Sequence, residues 1–301
     1  MQQVEGRTAF ITGGASGMGL GMAKAFLAAG MKVIITDVRQ DALDAALAGF
    51  GGSPDVRAII LDVTDRDAWI AAADEAERLF GNIHVVALNA GVGVLGAMAA
   101  ASYRDWDFGL GVNLGGVVNG IVTLLPRVLA HGEGGHFVTT SSTAGFSAVG
   151  GAGVYCASKF AVAGIMETLA TELKDSNVGA SVYFPGPVQT SLAQTTGETR
   201  PDELRNADTA PPRAPRPSGD RDLFMSPDEV GVRVLNGIRR NDLFIMSHPE
   251  FRDGIAARND ALLRAIPDEP LNTERHEIIK GYGTLVYNPV YDSQQQVPPV
   301  L

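Results

Sequence analysis

Tyr155 and Lys159 stand four positions apart in the alanine-rich run YCASKFAVAGIMETLATEL, a spacing that puts both side chains on one face of a helix. A phenol held beside an ammonium can do acid/base work: a free tyrosine titrates near ~10, and drawing it down by about three units takes roughly 4 kcal/mol, part of which a neighbouring cation can supply. Ser142 closes the strand-like FVTTSS, 13 residues before Tyr155. Its hydroxyl could hold a substrate oxygen. Asn113, in GVNLGGVVNG, occupies a mid-helix position for which asparagine has no propensity reason. It could bend that helix and carry a water to Lys159. Taken singly, each residue also reads as surface decoration, a strand-end hydroxyl or a local helix bond; only their conjunction points to chemistry.

A second constellation lies near the start. The run Thr8 to Thr12 leads into Gly13, Gly14, Ala15, Ser16, Gly17, Met18 and Gly19, and a helical pattern follows through Ala29. Strand, glycines and helix in that order suit a pyrophosphate, because glycine lets backbone approach closely and a helix N-terminus offers unpaired N–H groups. A tight turn packing helix on strand is the plainer alternative. Asp37 ends the next strand, 18 positions past Gly19, where a carboxylate meets adenosine ribose hydroxyls and repels a 2′-phosphate. NAD is therefore expected over NADP, with Val38 a further cofactor contact and Arg39 partly softening the preference. Asp62, with Val63, is placed for the adenine amino group, and Asn89, Ala90 and Gly91 would let a cofactor lie across the sheet edge; caps and turns remain alternatives for these.

The elements that must position these residues form a βα rhythm. Strands are expected at Thr8 to Thr12, Lys32 to Asp37, Arg57 to Leu61, His84 to Leu88, His136 to Thr140 and Ala180 to Phe184, with helical patterns between them. Continuous apolar strands joined by helical crossovers predict a doubly wound parallel α/β sheet, a Rossmann fold in one domain over residues 1–247. After Thr190 the rhythm breaks into a Pro-, Arg- and Thr-rich stretch, expected as a long loop over about 191–226, either lid or linker. A helix from Pro227 to Arg240 and a strand from Leu243 to Met246 follow. Residues 248–301 form an extension expected to carry a short helix near Phe251 to Ile266 and an extended tail ending in QQQVPPVL, packing on the core or on a neighbouring subunit.

With 301 residues and 45% hydrophobic content the chain can bury one large core. A formal charge of −10 speaks against nucleic acid as a partner. Cys156 is the single cysteine, so neither an internal disulfide nor a cysteine metal site can form, and a reducing cytoplasmic location is expected. No metal is expected. The polar start of the chain does not read as a signal peptide, and no uninterrupted apolar run reaches membrane-spanning length, so no membrane partner is expected either.

Together the motifs Thr12-Gly13-xxx-Gly17-x-Gly19, Asn89-Ala90-Gly91, Asn113, Ser142, Tyr155-xxx-Lys159 and Pro185-Gly186-Pro187-Val188-x-Thr190 resemble the short-chain dehydrogenase/reductase family, in family order, over roughly residues 5 to 247. The resemblance implies that Tyr155 is the general acid/base, that Ser142 orients the substrate oxygen, that Lys159 binds the nicotinamide ribose and lowers the Tyr155 pKa, and that Asn113 supports a proton relay. It further implies that the backbone and hydroxyl of Val188 and Thr190 fix the carboxamide, that Pro185 and Gly186 belong to the same cofactor-binding turn, and that the molecule is a homodimer or homotetramer built on the Asn113 and Tyr155 helices. Leu88 stands where many members carry a second Asn, and Cys156 follows the tyrosine where a small residue is usual. Substrate contacts expected from Val92 to Leu95, Phe146 to Val149 and Gln189 to Leu192 are mostly apolar. They favour a small aromatic or alicyclic secondary alcohol or its ketone, and the chain is similar to bacterial dehydrogenases of lignin-derived benzylic aryl-ether alcohols. A steroid or 3-oxoacyl substrate is a further possibility. A cofactor-sensing regulator is the rival from another class, but such proteins usually lose the Tyr or the Lys.

Overall fold

The structure, a computed structural model, describes residues 1–206 and 223–298. Seven parallel strands form one sheet: β1 (Thr8–Thr12), β2 (Lys32–Asp37), β3 (Val56–Ile60), β4 (Ile83–Leu88), β5 (Gly135–Thr140), β6 (Val178–Phe184) and β7 (Phe244–Met246), in the order β3-β2-β1-β4-β5-β6-β7. The strand order reverses between β1 and β4, and a crevice opens there beyond the strand C-termini. Every residue of β1, β4 and β5 is buried, including His84 and His136, as a parallel sheet covered on both faces requires. Side chains alternate between the two cores. Ala9 and Ile11 face α1 (Gly17–Ala28), α2 (Gln40–Gly49) and α8 (Pro227–Arg240), whereas Phe10 faces α3 (Arg66–Phe80), α5 (Gly116–His131) and α6 (Gly153–Glu172). Helices α1 and α8 touch backbone to backbone: a Cβ on Gly21 would lie 1.9 Å from the Pro227 carbonyl oxygen.

Strand ends fall within two residues of the sequence reading. The largest difference is β6, which starts at Val178 instead of Ala180 because Gly179, which has no apolar side chain to mark it, pairs with His136. Helix α4 (Tyr103–Leu110) runs through a π-helical turn, Gly111–Gly115, into α5, so Asn113 does interrupt an otherwise regular helix. That joined helix, Tyr103–His131, is long and apolar enough by composition to cross a membrane, yet Val117, Leu124 and Val128 on it are core residues.

Two expectations are corrected. The stretch after Thr190 does not start as a loop: α7 (Leu192–Thr199) and a 3-10 turn, Asp202–Leu204, occupy its first part. No apolar period marks α7 because Thr195, Thr196 and Thr199 turn their hydroxyls back onto carbonyls of the preceding turn. Residues 207–222 of the expected lid lie outside the described residues. The C-terminal tail, in turn, carries helix α9 (Arg252–Arg264) where one was expected, and then a further helix, α10 (Thr273–Lys280), capped by Asn272, in place of a wholly extended run. Both helices are largely exposed, and the chain then returns to the sheet edge. There Gln294 Oε1 accepts the Phe244 N–H at 2.8 Å and Tyr291 stacks on Phe244.

Candidate active site

The glycine turn is built as its sequence requires. Gly13 and Gly17 have φ of 61° and 51°, and a Cβ on Gly19 would lie 2.1 Å from the Gly13 oxygen, so no larger residue could replace it. Ser16 caps α1 without a side-chain bond to its first turn, which leaves those N–H groups facing the crevice. Behind the turn, Thr12 Oγ1 accepts the N–H groups of Asn89 (2.9 Å) and Ala90 (3.0 Å), and the Asn89 amide donates to the Thr12 carbonyl (3.1 Å) and accepts from Thr140 Oγ1 (3.0 Å). The tips of β1, β4 and β5 are thereby tied together.

A cleft runs over this platform, and Gly13, Ser16, Gly17, Met18, Asp37, Val38, Arg39, Asp62, Val63, Asn89, Ala90, Gly91 and Thr190 all line it. Ala15 is buried, and Gly19, Pro185, Gly186 and Val188 are not among the residues that line the cleft. An open, glycine-lined cradle at an uncapped helix N-terminus suits a dinucleotide. Asp37 is not free in this state. Its carboxylate accepts from Arg39 N and Nε, both at 3.1 Å, and Arg39 Nη2 reaches Ser16 Oγ at 3.2 Å. Arg39 thus lies across the carboxylate, a closer screen than its spacing alone implied. Asp62 makes a local turn, accepting from Thr64 N and Oγ1, while remaining exposed to the cleft.

The four expected catalytic residues converge. A Cβ on Gly91 would lie 3.1 Å from Asn113 Oδ1 and 3.5 Å from Lys159 Nζ. Asn113 is held on every side: Oδ1 accepts from Val92 N at 2.8 Å, and Nδ2 donates to Val92 O and Ser158 Oγ, each at 3.0 Å. Lys159 Nζ donates to the Thr140 carbonyl at 2.8 Å and lies 5.6 Å from the Tyr155 ring centroid. Burial lowers the Lys159 ammonium from 10.5 to about 8. Burial also raises the Tyr155 phenol, a hydrogen bond with Ser142 partly offsetting the rise. In the protein alone the phenol therefore stands above its ordinary value, the reverse of the expected lowering, because the loss of hydration outweighs the hydrogen bond. Ser142 Oγ also accepts the Ala144 N–H at 3.1 Å, which fixes it at the head of a 3-10 turn.

The segment from Leu192 to Asn206 roofs the cleft. Leu192 and Leu204 line it, and Thr196 Oγ1 accepts the Gly93 N–H at 2.8 Å. The roof is pinned by Asp105 of α4, which pairs with Arg200 at 2.8 Å and accepts from Asn206 Nδ2 at 3.0 Å. Burial works to raise the Asp105 carboxyl, but donors on Ser102, Arg200 and Asn206 together hold it down at about 2.

Residues 7–201 match the family described as short chain dehydrogenase. The chain is a member of that family. It is 35% identical over 270 residues to the C alpha-dehydrogenase of Sphingobium sp., covering 88% of each chain. Among solved structures, a short-chain dehydrogenase from Novosphingobium aromaticivorans superposes with a TM-score of 0.81 at 35% identity, covering 96% of this chain and 100% of the other. A family member from Burkholderia phymatum in complex with NAD superposes with a TM-score of 0.80 at 31% identity, covering 90% and 100%. This short-chain dehydrogenase is thus an oxidoreductase of CH–OH donors that uses a nicotinamide cofactor.

Several residues of the dehydrogenase site escaped sequence reading. Thr140 and Ser158 hold Lys159 and Asn113, and Asp105 with Arg200 secures the roof. The run Thr139 to Ser142 signals clustered hydroxyls at a strand end, so Thr140 was within reach. For the Asp105 and Arg200 pair, separated by 95 positions, no local signal exists. Cys156 packs with Ala144 and Ala152 as a small apolar residue.

Proposed function

We propose that this dehydrogenase oxidises a secondary benzylic alcohol of a lignin-derived aryl ether to its ketone, with NAD as cofactor and Tyr155 as the base. The observation that carries the reading is the convergence beside the cleft: Lys159 Nζ lies 5.6 Å from the Tyr155 ring centroid, Lys159 Nζ and Asn113 Oδ1 both face the cleft residue Gly91, and Ser142 neighbours the phenol. A bound nicotinamide supplies the hydride acceptor. Ser142 holds the substrate hydroxyl, Lys159 binds the ribose and stabilises Tyr155 as the phenolate, and that phenolate takes the hydroxyl proton and becomes the neutral phenol. Asn113, its side chain locked against Val92 and Ser158, keeps that helix in register for a proton path from Lys159. Val188 and Thr190 hold the carboxamide.

The apolar substrate class is supported by Val92, Val94, Phe108 and Val154, which form a separate buried cluster at this end of the sheet, with Leu95, Met98 and Val149 exposed near them in sequence. The 35% identity to a C alpha-dehydrogenase points the same way. Val118, Val122 and Leu129 leave an exposed apolar stripe on α5, consistent with an intracellular homo-oligomer joined through that helix.

The test is reduced-nicotinamide absorbance over benzylic aryl-ether alcohols, alicyclic alcohols, hydroxysteroids and 3-hydroxyacyl thioesters, each with NAD and with NADP. Benzylic alcohols with NAD should give the highest kcat/KM; a higher value for another class would overturn the substrate assignment. Asp37→Ala should narrow the NAD preference by roughly tenfold and Arg39→Ala should widen it. An unchanged ratio in both variants would remove this corner from cofactor selection.

A further inference from the structure

The chain leaves β6 through Pro185-Gly186-Pro187, the turn that leads to Val188 and Thr190. Two prolines leave this turn few backbone donors, with the Gly186 N–H the one between them. That N–H does not go to the sheet: it donates to Nδ1 of His248, just beyond β7, at 3.2 Å. His248 Nε2 lies 3.2 Å from the Pro187 carbonyl, so one imidazole grips both ends of the Gly186 to Pro187 segment.

The ring is itself held in place. Ser247, buried beside it, has its Oγ 2.7 Å from His248 Nδ1, and the buried Tyr183 hydroxyl donates to that Oγ at 3.2 Å. With Tyr183 donating to Ser247, the Ser247 proton is directed at Nδ1. The Ser247 and Gly186 protons then share the single Nδ1 lone pair in a three-centre bond, which leaves the ring proton on Nε2 to donate to Pro187. The Phe251 and His248 rings pack edge to face, 5.9 Å between centroids. The fit is tight: a Cβ on Gly186 would lie 2.8 Å from His248 Cγ and 2.6 Å from Phe251 Cε2. The remaining turn contacts come from elsewhere, Thr143 N–H to the Pro185 carbonyl and Met225 N–H to the Pro187 carbonyl.

We propose that His248, as the neutral Nε2–H tautomer, is a positioning residue for the cofactor: it clamps the Gly186-Pro187 segment so that Val188 and Thr190 are presented to the nicotinamide carboxamide. The clamp comes from outside the family motifs, on the first residue of the C-terminal extension. It ties that extension to the cofactor turn. The inference rests on the reading that Val188 and Thr190 hold the carboxamide.

The experiment measures NADH affinity by fluorescence titration, alongside the melting temperature without nucleotide, for the full-length protein and three variants. His248→Phe keeps a ring but removes both bonds, and should weaken NADH binding roughly tenfold while leaving the nucleotide-free melting temperature close to wild type. His248→Asn, whose amide can still reach Gly186, should recover part of that loss. Nitrogen-15 spectra of the wild-type ring should show a protonated Nε2 and a bare Nδ1. His248→Phe binding NADH within twofold of wild type would overturn the clamp. So would a loss that tracks a fall in melting temperature with no recovery in His248→Asn. Thr190→Val separates the two levels: if it leaves NADH affinity unchanged, the carboxamide reading fails; if it weakens NADH while His248→Phe does not, only the clamp fails.

Discussion

Lys159 is buried with one carbonyl, that of Thr140, as its hydrogen-bond partner, and its ammonium falls from 10.5 to about 8. The sign of the consequence follows from proton counting. Below about pH 8 the amine is charged in both folded and unfolded chains, and its burial stands as a constant penalty. From there up to about 10.5 the unfolded chain holds a proton that the folded one lacks, so this residue's contribution to stability rises with pH. The penalty is on the order of 3 kcal/mol, against about 1 kcal/mol for the hydrogen bond to Thr140. Lys159→Met should therefore inactivate the enzyme yet raise its melting temperature without nucleotide by a few degrees at pH 7, a gain that shrinks toward pH 10.5. A melting temperature below wild type at pH 7 would show that the ammonium stabilises the fold. Asn113, Ser142, Tyr155 and Lys159 could be picked out as candidates from the sequence by their types and order, and the fold brings them close to one another. The direction of the Tyr155 shift was not legible there: spacing shows that an ammonium is near, but only the structure shows that burial raises the phenol.

At the scale of elements, α7 and the turn after it form a roof whose hold on α4 is electrostatic. The ion pair of Asp105 and Arg200 leaves the two side chains 14% and 12% exposed, and Arg200 also lies over the Phe108 ring at 5.3 Å. Because the Asp105 carboxyl is depressed to about 2, the stabilisation it provides is present above the ordinary carboxylate range and is lost as pH falls toward 2. Acidity near pH 5 should thus leave the roof closed. Removing the cation should open it: in Arg200→Ala the amides of Leu192 to Thr199 should exchange with deuterium at least about tenfold faster than in wild type, with the strands unaffected. Equal exchange would mean that packing alone holds the roof. The strands could be read ahead of the structure because β-branched and apolar residues bounded by glycine and charge define them locally. Helix α7 could not, since its threonines, Gln194 and Glu198 mark no face and its order depends on Gly93 and Asp105, distant in sequence.

Across the whole molecule, the βα rhythm placed every expected strand, and with it the crevice that Gly13, Asp37 and Asn89 line. What the rhythm did not reach is the extension after His248. Helix α10 is set by the Asn272 cap, and the return to the sheet by Tyr291 and Gln294 meeting Phe244, contacts that no periodicity announces. All of these parts serve one arrangement, a phenol beside a nucleotide cleft. Its most direct test is Tyr155→Phe, assayed for alcohol oxidation at saturating NAD and, in parallel, for NADH binding. Turnover should fall by about a thousandfold or more while NADH affinity stays within a few-fold of wild type. Turnover close to wild type in that variant would contradict the assignment of Tyr155 as the base.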